Sequence, residues 1–544
     1  MATAEYLAGT RDEQKYIRHE PACTHILPGA FQHVGTGYAA PMTSLWLHDA
    51  QVPARLRLTP GSRFDTVVIG AGLTGLVTAL LLAQGGVQVA VVEGRRVGAG
   101  TTGATTGKIS LLQGTRAQQI ARHHADRTVR AYVDANREGQ KWLLRFCAQR
   151  GVPVQQATAY TYAQTEAEKS SVRTEYAATQ KAGLPTELVD ELDLPFPSYG
   201  AVRLPDQAQV DPMKLLAALA AEVESHAAPI FESTLAQAVH HDRDGDLVVA
   251  TEHGDLAAGT VVLATGTPIL DRGGFFARLT PQRSYLAAFR VDESIPHDMY
   301  ISAGQPTRSL RYAPEPDGDL LLVGGNGHVV GRGGSTRAKA ADLVSWTQTW
   351  FPTADPIYQW SAQDYAPVGE LPYAGPLLPG MERILVATGY AKWGMTNGVA
   401  ASIALAGRLT GKPPRWSGVF ASWRPDELKA LPAAARVNTA VARYLSADWL
   451  RVVVNGSSYG EVPAEGGGSV ERHGLRPTAT CTVDGTTTRL SAVCPHLYGI
   501  VHWNDAECTW DCPLHGSRFA PDGTLLEGPA TKPLTVFHSS EDPR

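Results

Sequence analysis

Phe64-Asp65-Thr66-Val67-Val68-Ile69-Gly70-Ala71-Gly72-Leu73-Thr74-Gly75 runs from a β-branched apolar stretch into a Gly-x-Gly-x-x-Gly turn. An apolar, helix-like run follows, and then Val87-Gln88-Val89-Ala90-Val91-Val92-Glu93. The order is strand, glycine turn, helix, strand, acid, which predicts the first βαβ unit of a dinucleotide-binding α/β domain. Gly70 allows the tight turn, Gly72 lets backbone approach a pyrophosphate, and Gly75 permits close helix–strand packing. The helix start at Leu73 and Thr74 attracts negative phosphate. Glu93, eighteen residues past Gly75, is placed to accept hydrogen bonds from a ribose. The pattern serves FAD and NAD alike. A second match, Gly98-Ala99-Gly100-Thr101-Thr102-Gly103, follows the acid without opening another strand–turn–helix unit, so it is no second fingerprint.

A chain of 544 residues exceeds what one core supports, and two to four domains are expected. Its net charge of −5, without a basic stripe, argues against nucleic acid as a partner. The start, Met1 to Tyr6, lacks the order of a secretory signal. No stretch reaches the roughly eighteen apolar residues of a membrane span. A cytoplasmic protein with no membrane association is expected, with small molecules and redox proteins as partners. Six cysteines over this length form no disulfide framework.

Two cysteines do have metal-ligand context. Cys494-Pro495-His496 and Cys512-Pro513-Leu514-His515 are separated by fifteen residues, a Cys-x-His and Cys-x-x-His array that suits a Rieske-type [2Fe–2S] centre. In such a centre two thiolates hold one iron and two neutral imidazoles hold the other. The alternative is a Cys2His2 zinc site, although zinc sites usually pair Cys with Cys and His with His at short spacing. Cys23-Thr24-His25 copies half of the array with no second half nearby. Cys147, Cys481 and Cys508 read as ordinary thiols.

The C-terminal run resembles the Rieske family along most of its length, and Gly528-Pro529-Ala530 matches that family's proline loop. The stretch from Ser44 to about Trp423 resembles the glycine/D-amino-acid oxidase family of FAD enzymes. The resemblance rests on Val97-Gly98-Ala99-Gly100-Thr101-Thr102-Gly103-Ala104-Thr105-Thr106-Gly107-Lys108, on Val261-Val262-Leu263-Ala264-Thr265-Gly266, and on Ala387-Thr388-Gly389-Tyr390-Ala391-Lys392-Trp393-Gly394-Met395-Thr396-Asn397-Gly398. Nearly the whole chain is similar to a bacterial subgroup of such flavoproteins with a C-terminal Rieske domain. The fold it implies is an α/β FAD-binding Rossmann-like domain with an antiparallel-sheet substrate domain, plus a C-terminal all-β Rieske domain. The implied cofactors are FAD and a [2Fe–2S] Rieske cluster.

On this reading residues 1–43 are an extension and 44–424 the oxidoreductase. Its FAD-binding parts lie near 60–110, 206–272 and 376–411, and its substrate domain near 273–375. A helical linker at 425–449 precedes the Rieske domain at 450–544. The resemblance places Gly70, Gly72, Leu73, Thr74, Gly75, Glu93, Gly100, Thr101, Thr102, Thr105, Thr106 and Lys108 against FAD. Thr265, Gly266, Gly389, Lys392, Gly394, Met395 and Thr396 complete that set. Cys494, His496, Cys512 and His515 are the expected cluster ligands. The small residues of 97–108 let backbone and hydroxyls approach the cofactor. A helix start near Thr396 and the cation of Lys392 favour negative charge on the reduced flavin. The other reading of Lys392 is a solvated surface lysine. Arg283, Tyr285, Arg311 and His328 are candidate substrate contacts from the roof, an arginine there being suited to clamp a carboxylate.

The implied activity is oxidation of a carbon–nitrogen bond in a small amine or amino-acid-like substrate. Reduced FAD then passes electrons singly through the cluster to an external one-electron acceptor such as a ferredoxin. A ferredoxin-fed reductase running the other way, and a non-catalytic electron-transfer or redox-sensing flavoprotein, are the alternatives. A Rieske oxygenase would need a mononuclear iron domain for which the 29 residues after His515 leave no room. High-potential Rieske proteins carry two extra cysteines and a tyrosine where this chain has Gly499, Leu514 and Phe519. With Ser517 the remaining donor, a potential of roughly −150 mV is expected.

Overall fold

The computed structural model describes residues 43–48, 50, 55, 58–454, 462–473 and 476–537. Residues 1–42, and with them Cys23-Thr24-His25, lie outside the described residues. The β-branched run at 63–69 forms the strand Arg63–Ile69, which pairs in parallel with Val89–Val92 on one side and Gly254–Leu263 on the other. Ile384–Thr388 and Ile230–Phe231 extend this parallel sheet, and Tyr373–Pro376 adds an antiparallel edge. Val67, Val68, Val91, Val92, Val261 and Val262 have no exposed surface, as strands covered on both faces require. One covering layer is built from the helices Leu73–Gln84, Pro212–Ser225 and Gly394–Leu409. The helix Pro212–Ser225 is started by Asp211, whose carboxylate accepts from the Met213 and Lys214 N–H groups at 2.8 and 3.2 Å, with Pro212 in the first turn.

A second, nine-stranded sheet roofs the first domain. Its order is Asp355–Pro367, Leu279–Arg290, Leu320–Val329, Arg308–Ala313, Met299–Ser302, Val154–Tyr162, Ala201–Val210 and Lys108–Ile109, with Glu187–Val189 on the outside of Ala201–Val210. It is antiparallel apart from the pair Met299–Ser302 and Val154–Tyr162. The chain from 273 to 375 thus supplies only part of the roof. Val154–Tyr162 and Ala201–Val210 come from earlier in the chain, where the helices Asp126–Arg150 and Lys169–Lys181 accompany them. Along Leu279–Arg290 the faces alternate. Leu286 and Ala288 join the core shared with the flavin-side helices, whereas Tyr285, Ala287 and Phe289 join a separate core under the helix Thr336–Trp350.

The helix Leu431–Val454 leads to two small antiparallel sheets, Gly468–His473 with Arg476–Val483 and Thr486–Ser491, and His502–Asn504 with Thr509–Asp511, Arg518–Phe519 and Leu525–Glu527. Trp510 and Phe519 are fully buried between them. This module is fastened to the roof by charge. Arg283 donates to Ser361, Gln363 and Glu507 at 2.8, 2.7 and 2.9 Å, and Arg518 donates to the other Glu507 oxygen at 2.7 Å. Asp505 caps the roof helix Thr336–Trp350, accepting from the Thr336 and Arg337 N–H groups at 2.8 and 3.0 Å, where a helix N-terminus favours an anion.

Burial opposes ionisation of Glu507, but Arg518 and Arg283 overcome it and hold its carboxyl at about 2, below the usual 4.5. A depressed folded-state value stabilises above pH 4.5, and this contribution, about 3 kcal/mol, is lost as pH falls from 4.5 toward 2. Glu507→Gln leaves two buried guanidinium groups short of a counter-charge and should cost about 3–5 kcal/mol. In a thermal melt the visible circular dichroism of the cluster should collapse earlier than in the parent, and an unchanged midpoint would contradict the assignment.

Candidate flavin cleft and cluster site

The segments singled out in the sequence meet at one place, the carboxyl ends of the parallel strands. Gly70 follows Arg63–Ile69, Glu93 follows Val89–Val92, Thr265 and Gly266 follow Gly254–Leu263, and Gly389 follows Ile384–Thr388. This is where open α/β sheets bind ligands. Gly70 has φ of +108° and a Cβ there would stand 2.5 Å from the Ala264 carbonyl, while one on Gly75 would overlap the Gly70 carbonyl. Only glycine fits either position. Gly72 caps the helix Leu73–Gln84 with no side-chain bond, so the helix start is not blocked by its own cap. Glu93 is fixed at the crevice by the Ala71 and Arg95 N–H groups, at 2.8 and 2.9 Å.

The loop from Val97 to Gly107 is pinned from several sides. Thr102 Oγ1 accepts from the Leu73 N–H at 3.2 Å, and Thr101 Oγ1 donates to the Gln363 carbonyl at 2.6 Å. The carbonyls of Ala104, Thr105 and Thr106 accept from Trp360, Trp46 and Arg311 respectively. Gly100 sits half-buried in this loop. Lys108 is buried, donating to the Tyr300 carbonyl at 2.9 Å and Ser309 Oγ at 2.7 Å, and burial together with nearby Arg311 lowers its pKa to about 7.

Opposite stands the helix Gly394–Leu409, whose cap residue Trp393 makes no side-chain cap bond. Met395 and Thr396 are buried, Thr396 within an uncharged network in which its hydroxyl lies 2.7 Å from Asn136 Oδ1 and 3.0 Å from Gln113 Nε2. Ala391 and Lys392 turn through left-handed backbone, φ +49° and +73°. Lys392 Nζ comes close to Gly327 and Ser284 of the roof. Its side chain is exposed, as the surface-lysine reading has it, while desolvation by the neighbouring walls lowers its pKa against the pull of Asp364. Asp364 accepts from the Lys392 and Tyr365 N–H groups, and burial raises it to about 6 despite those bonds.

The roof residues expected at a substrate divide by sheet face. Ser284 turns toward the cleft, so Arg283 and Tyr285 turn away from it. Arg283 is spent on the Rieske module, and Tyr285 stacks on His328 at 5.7 Å between centroids on that outer side. This corrects the expectation of a carboxylate clamp at Arg283 and of pocket contacts at Tyr285 and His328. Arg311 does face the flavin side, but its guanidinium donates to the carbonyls of Thr106, Val210 and Tyr312 and lies over Trp46. Nε and Nη1 thus hold the loop and the neighbouring strand ends, while Nη2 is buried without a partner.

The four expected cluster ligands are brought together by two loops. Cys494 and Cys512 are both buried and their sulfurs interact directly; that contact lowers one thiol and raises the other. The rings of His496 and His515 stand 5.1 Å apart at 86°. His515 Nδ1 is buried with no hydrogen-bond partner, and burial, with His496 and Arg332 nearby, holds the ring neutral by lowering its pKa to about 3. An orphaned imidazole nitrogen kept unprotonated beside two thiols fits a metal ligand. Among the described residues no three His, Cys, Asp or Glu converge as a single metal site. Gly499 and Leu514, at the places of the extra cysteines of high-potential Rieske proteins, are close neighbours, and Ser517 lies at Cys494 while accepting from the Ala530 N–H at 3.0 Å.

Several participants carried no sequence signal. Gln363 donates to the Gly516 carbonyl at 2.8 Å while its own carbonyl holds Thr101, so one residue joins the cleft loop to the loop of His515. His496 Nε2 lies 2.5 Å from Asp271, and the His515 ring meets Phe276 edge-on at 5.4 Å. The histidine edge therefore faces the flavin domain. The apolar-alternation signal shows where strands lie but not which distant strand supplies a polar partner.

A family model for FAD dependent oxidoreductases, DAO, matches residues 65–408, and a Rieske [2Fe-2S] domain model matches 460–538. A Bacillus subtilis (strain 168) protein named as a Rieske 2Fe-2S iron-sulfur protein, YhfW, is 30% identical over 495 residues, covering 90% of this chain and 96% of its own. Glycine oxidase from Geobacillus kaustophilus shares the fold with a TM-score of 0.57 at 20% identity, over 67% of this chain and 99% of that one. L-proline dehydrogenase from P. horikoshii gives 0.54 at 16%, over 68% and 97%. The chain belongs to the DAO family of FAD dependent oxidoreductases and carries a Rieske domain, an enzyme whose cofactors are FAD and a [2Fe–2S] cluster.

Proposed function

We propose that this chain oxidises a carbon–nitrogen bond of a small amine or amino-acid-like substrate and delivers the electrons one at a time, through its cluster, to an external acceptor such as a ferredoxin. The observation that carries the reading is the Gln363 bridge, which ties the cleft loop at Thr101 to the cluster loop at Gly516. The names of the structural relatives, a glycine oxidase and an L-proline dehydrogenase, support the substrate class. When bound, FAD takes a hydride from the carbon beside nitrogen and the cluster accepts single electrons.

The chain's own residues supply the setting. Gly70 to Gly75 receive the diphosphate at the start of a helix, and Glu93 accepts from the ribose. Thr101 to Lys108, Thr265-Gly266 and Gly389 to Thr396 would hold the flavin from the surrounding loops, supplying backbone and hydroxyl contacts. Lys392 holds a cation where negative charge develops on reduction, and Asp364 orients the turn that carries it. Cys494 and Cys512 would hold one iron of the cluster, and His496 and His515 the other.

Anaerobic mixing with a panel of amines and amino acids should bleach the flavin with no other donor present, and the cluster's paramagnetic signal should follow. Bleaching only after adding reduced ferredoxin would reverse the direction of flow. Cys512→Ser should spare the bleaching and abolish the signal. Lys392→Met, with FAD still bound, should slow bleaching by about 100-fold; an unchanged rate would remove Lys392 from the site. With Ser517 beside Cys494 and the Asp271 carboxylate against His496, the cluster should titrate near roughly −150 mV, and a midpoint above about +100 mV would contradict the ligand environment described.

A further inference from the structure

The histidine edge of the cluster is turned inward, yet the electrons must leave the molecule. Another face of the same module is open. The helix Leu431–Val454 touches the first cluster loop directly and reaches the second through Arg332: Trp449 Nε1 donates to the Tyr498 carbonyl at 2.9 Å, and Tyr498 in turn donates its N–H to the Cys494 carbonyl at 3.1 Å. Tyr444 lies under the guanidinium of Arg332 at 4.5 Å, and Arg332 Nε donates to the carbonyl of Pro513, next to Cys512, at 2.9 Å. Along the outer side of this helix runs a groove of about 660 Å³, lined by Arg436, Thr439, Arg443, Tyr444, Arg451 and His502 among others. Arg436, Arg443 and Arg451 are exposed and recur at i, i+7 and i+15, one stripe of the helix. The only carboxylate in that lining, Asp448, is buried and already paired with Arg451 and His502 at 3.3 and 3.0 Å. The stripe is thus basic on a chain of net charge −5. Leu450, Val454 and Tyr498 stand beside it, 63%, 68% and 68% exposed.

We propose that this arginine stripe, with the apolar patch of Leu450, Val454 and Tyr498, is the docking surface for an acidic one-electron carrier protein that exchanges electrons with the cluster. The inference rests on the electron-transfer reading above. A small apolar contact ringed by charge is what a transient redox encounter uses, since complementary charge raises the association rate without demanding a large interface. One electron passes between carrier and cluster, and no bond or proton need move.

The test follows the cluster alone. Chemically reduced, acidic [2Fe–2S] ferredoxin is mixed anaerobically with the oxidised holoenzyme, and cluster reduction is timed at low and high salt. The expected second-order rate falls at least tenfold between low salt and ~0.5 M salt, as screening requires. It should fall at least tenfold at low salt in the triple variant Arg436→Glu, Arg443→Glu, Arg451→Glu, whose cluster spectrum and amine-dependent flavin bleaching stay intact. Arg243→Glu, an exposed charge reversal in the hairpin between Ala236–His241 and Leu247–Thr251, should change nothing. A salt-independent rate, a triple variant as fast as the parent, or faster exchange with a basic cytochrome c would overturn the proposal. So would sedimentation showing that the triple substitution only dissociates a dimer, or cross-linking that seats residues 1–42 in the groove. Failure of internal flavin-to-cluster transfer would leave this rate measurable, so the two readings fail separately.

Discussion

A guanidinium with 1% of its side chain exposed cannot be left without counter-charge, and Arg283 finds its own across a domain boundary, in Glu507 and, at 3.8 Å, Asp511. Every other part of the arrangement depends on this junction. It presses the second cluster loop against the strands Leu279–Arg290 and Asp355–Pro367, where a side chain at Gly516 would strike Pro281 and Gln363. The same strands form the roof of the flavin cleft from their other face. The two-stranded edge of one sheet thus becomes a partition, with the cleft loop on one side, the cluster loop on the other and Gln363 bonded to both loops.

The partition explains which features the sequence disclosed. The glycine turn at Gly70–Gly75, the acid at Glu93 and the Cys/His array were legible because local backbone geometry and metal chemistry tolerate few residue types at those spacings. The roof was harder. Arg283, Tyr285 and His328 lie on the roof strands Leu279–Arg290 and Leu320–Val329, but the period of two leaves the choice of face open, and a shift of one residue exchanges cleft for exterior. Ser284, the neighbour with no evident chemistry, is the one that turns inward. Asp364, Gln363, Glu507 and Asp271 were silent for a different reason. Each matters through a partner 28 to 225 residues away, and no local pattern encodes a pairing of that range. Val154–Tyr162 and Ala201–Val210 were obscured by the charged helices beside them, Asp126–Arg150 before the first strand and Lys169–Lys181 between the two.

Stability alone does not account for a buried Arg283–Glu507–Arg518 network. Apolar residues of similar volume would fasten two domains at least as firmly, because desolvating charges offsets much of their attraction. Ion pairs and hydrogen bonds, unlike apolar contact, have direction. Arg283 meets Ser361, Gln363 and Glu507 in one orientation only, and Asp505 can cap the helix Thr336–Trp350 only in one register. An apolar face could slide by a side chain's width with little penalty; this one cannot. Electron tunnelling weakens steeply with separation, so on the proposed route from flavin to cluster the interaction that denies the cluster domain freedom to slide would also fix the distance that sets the transfer rate.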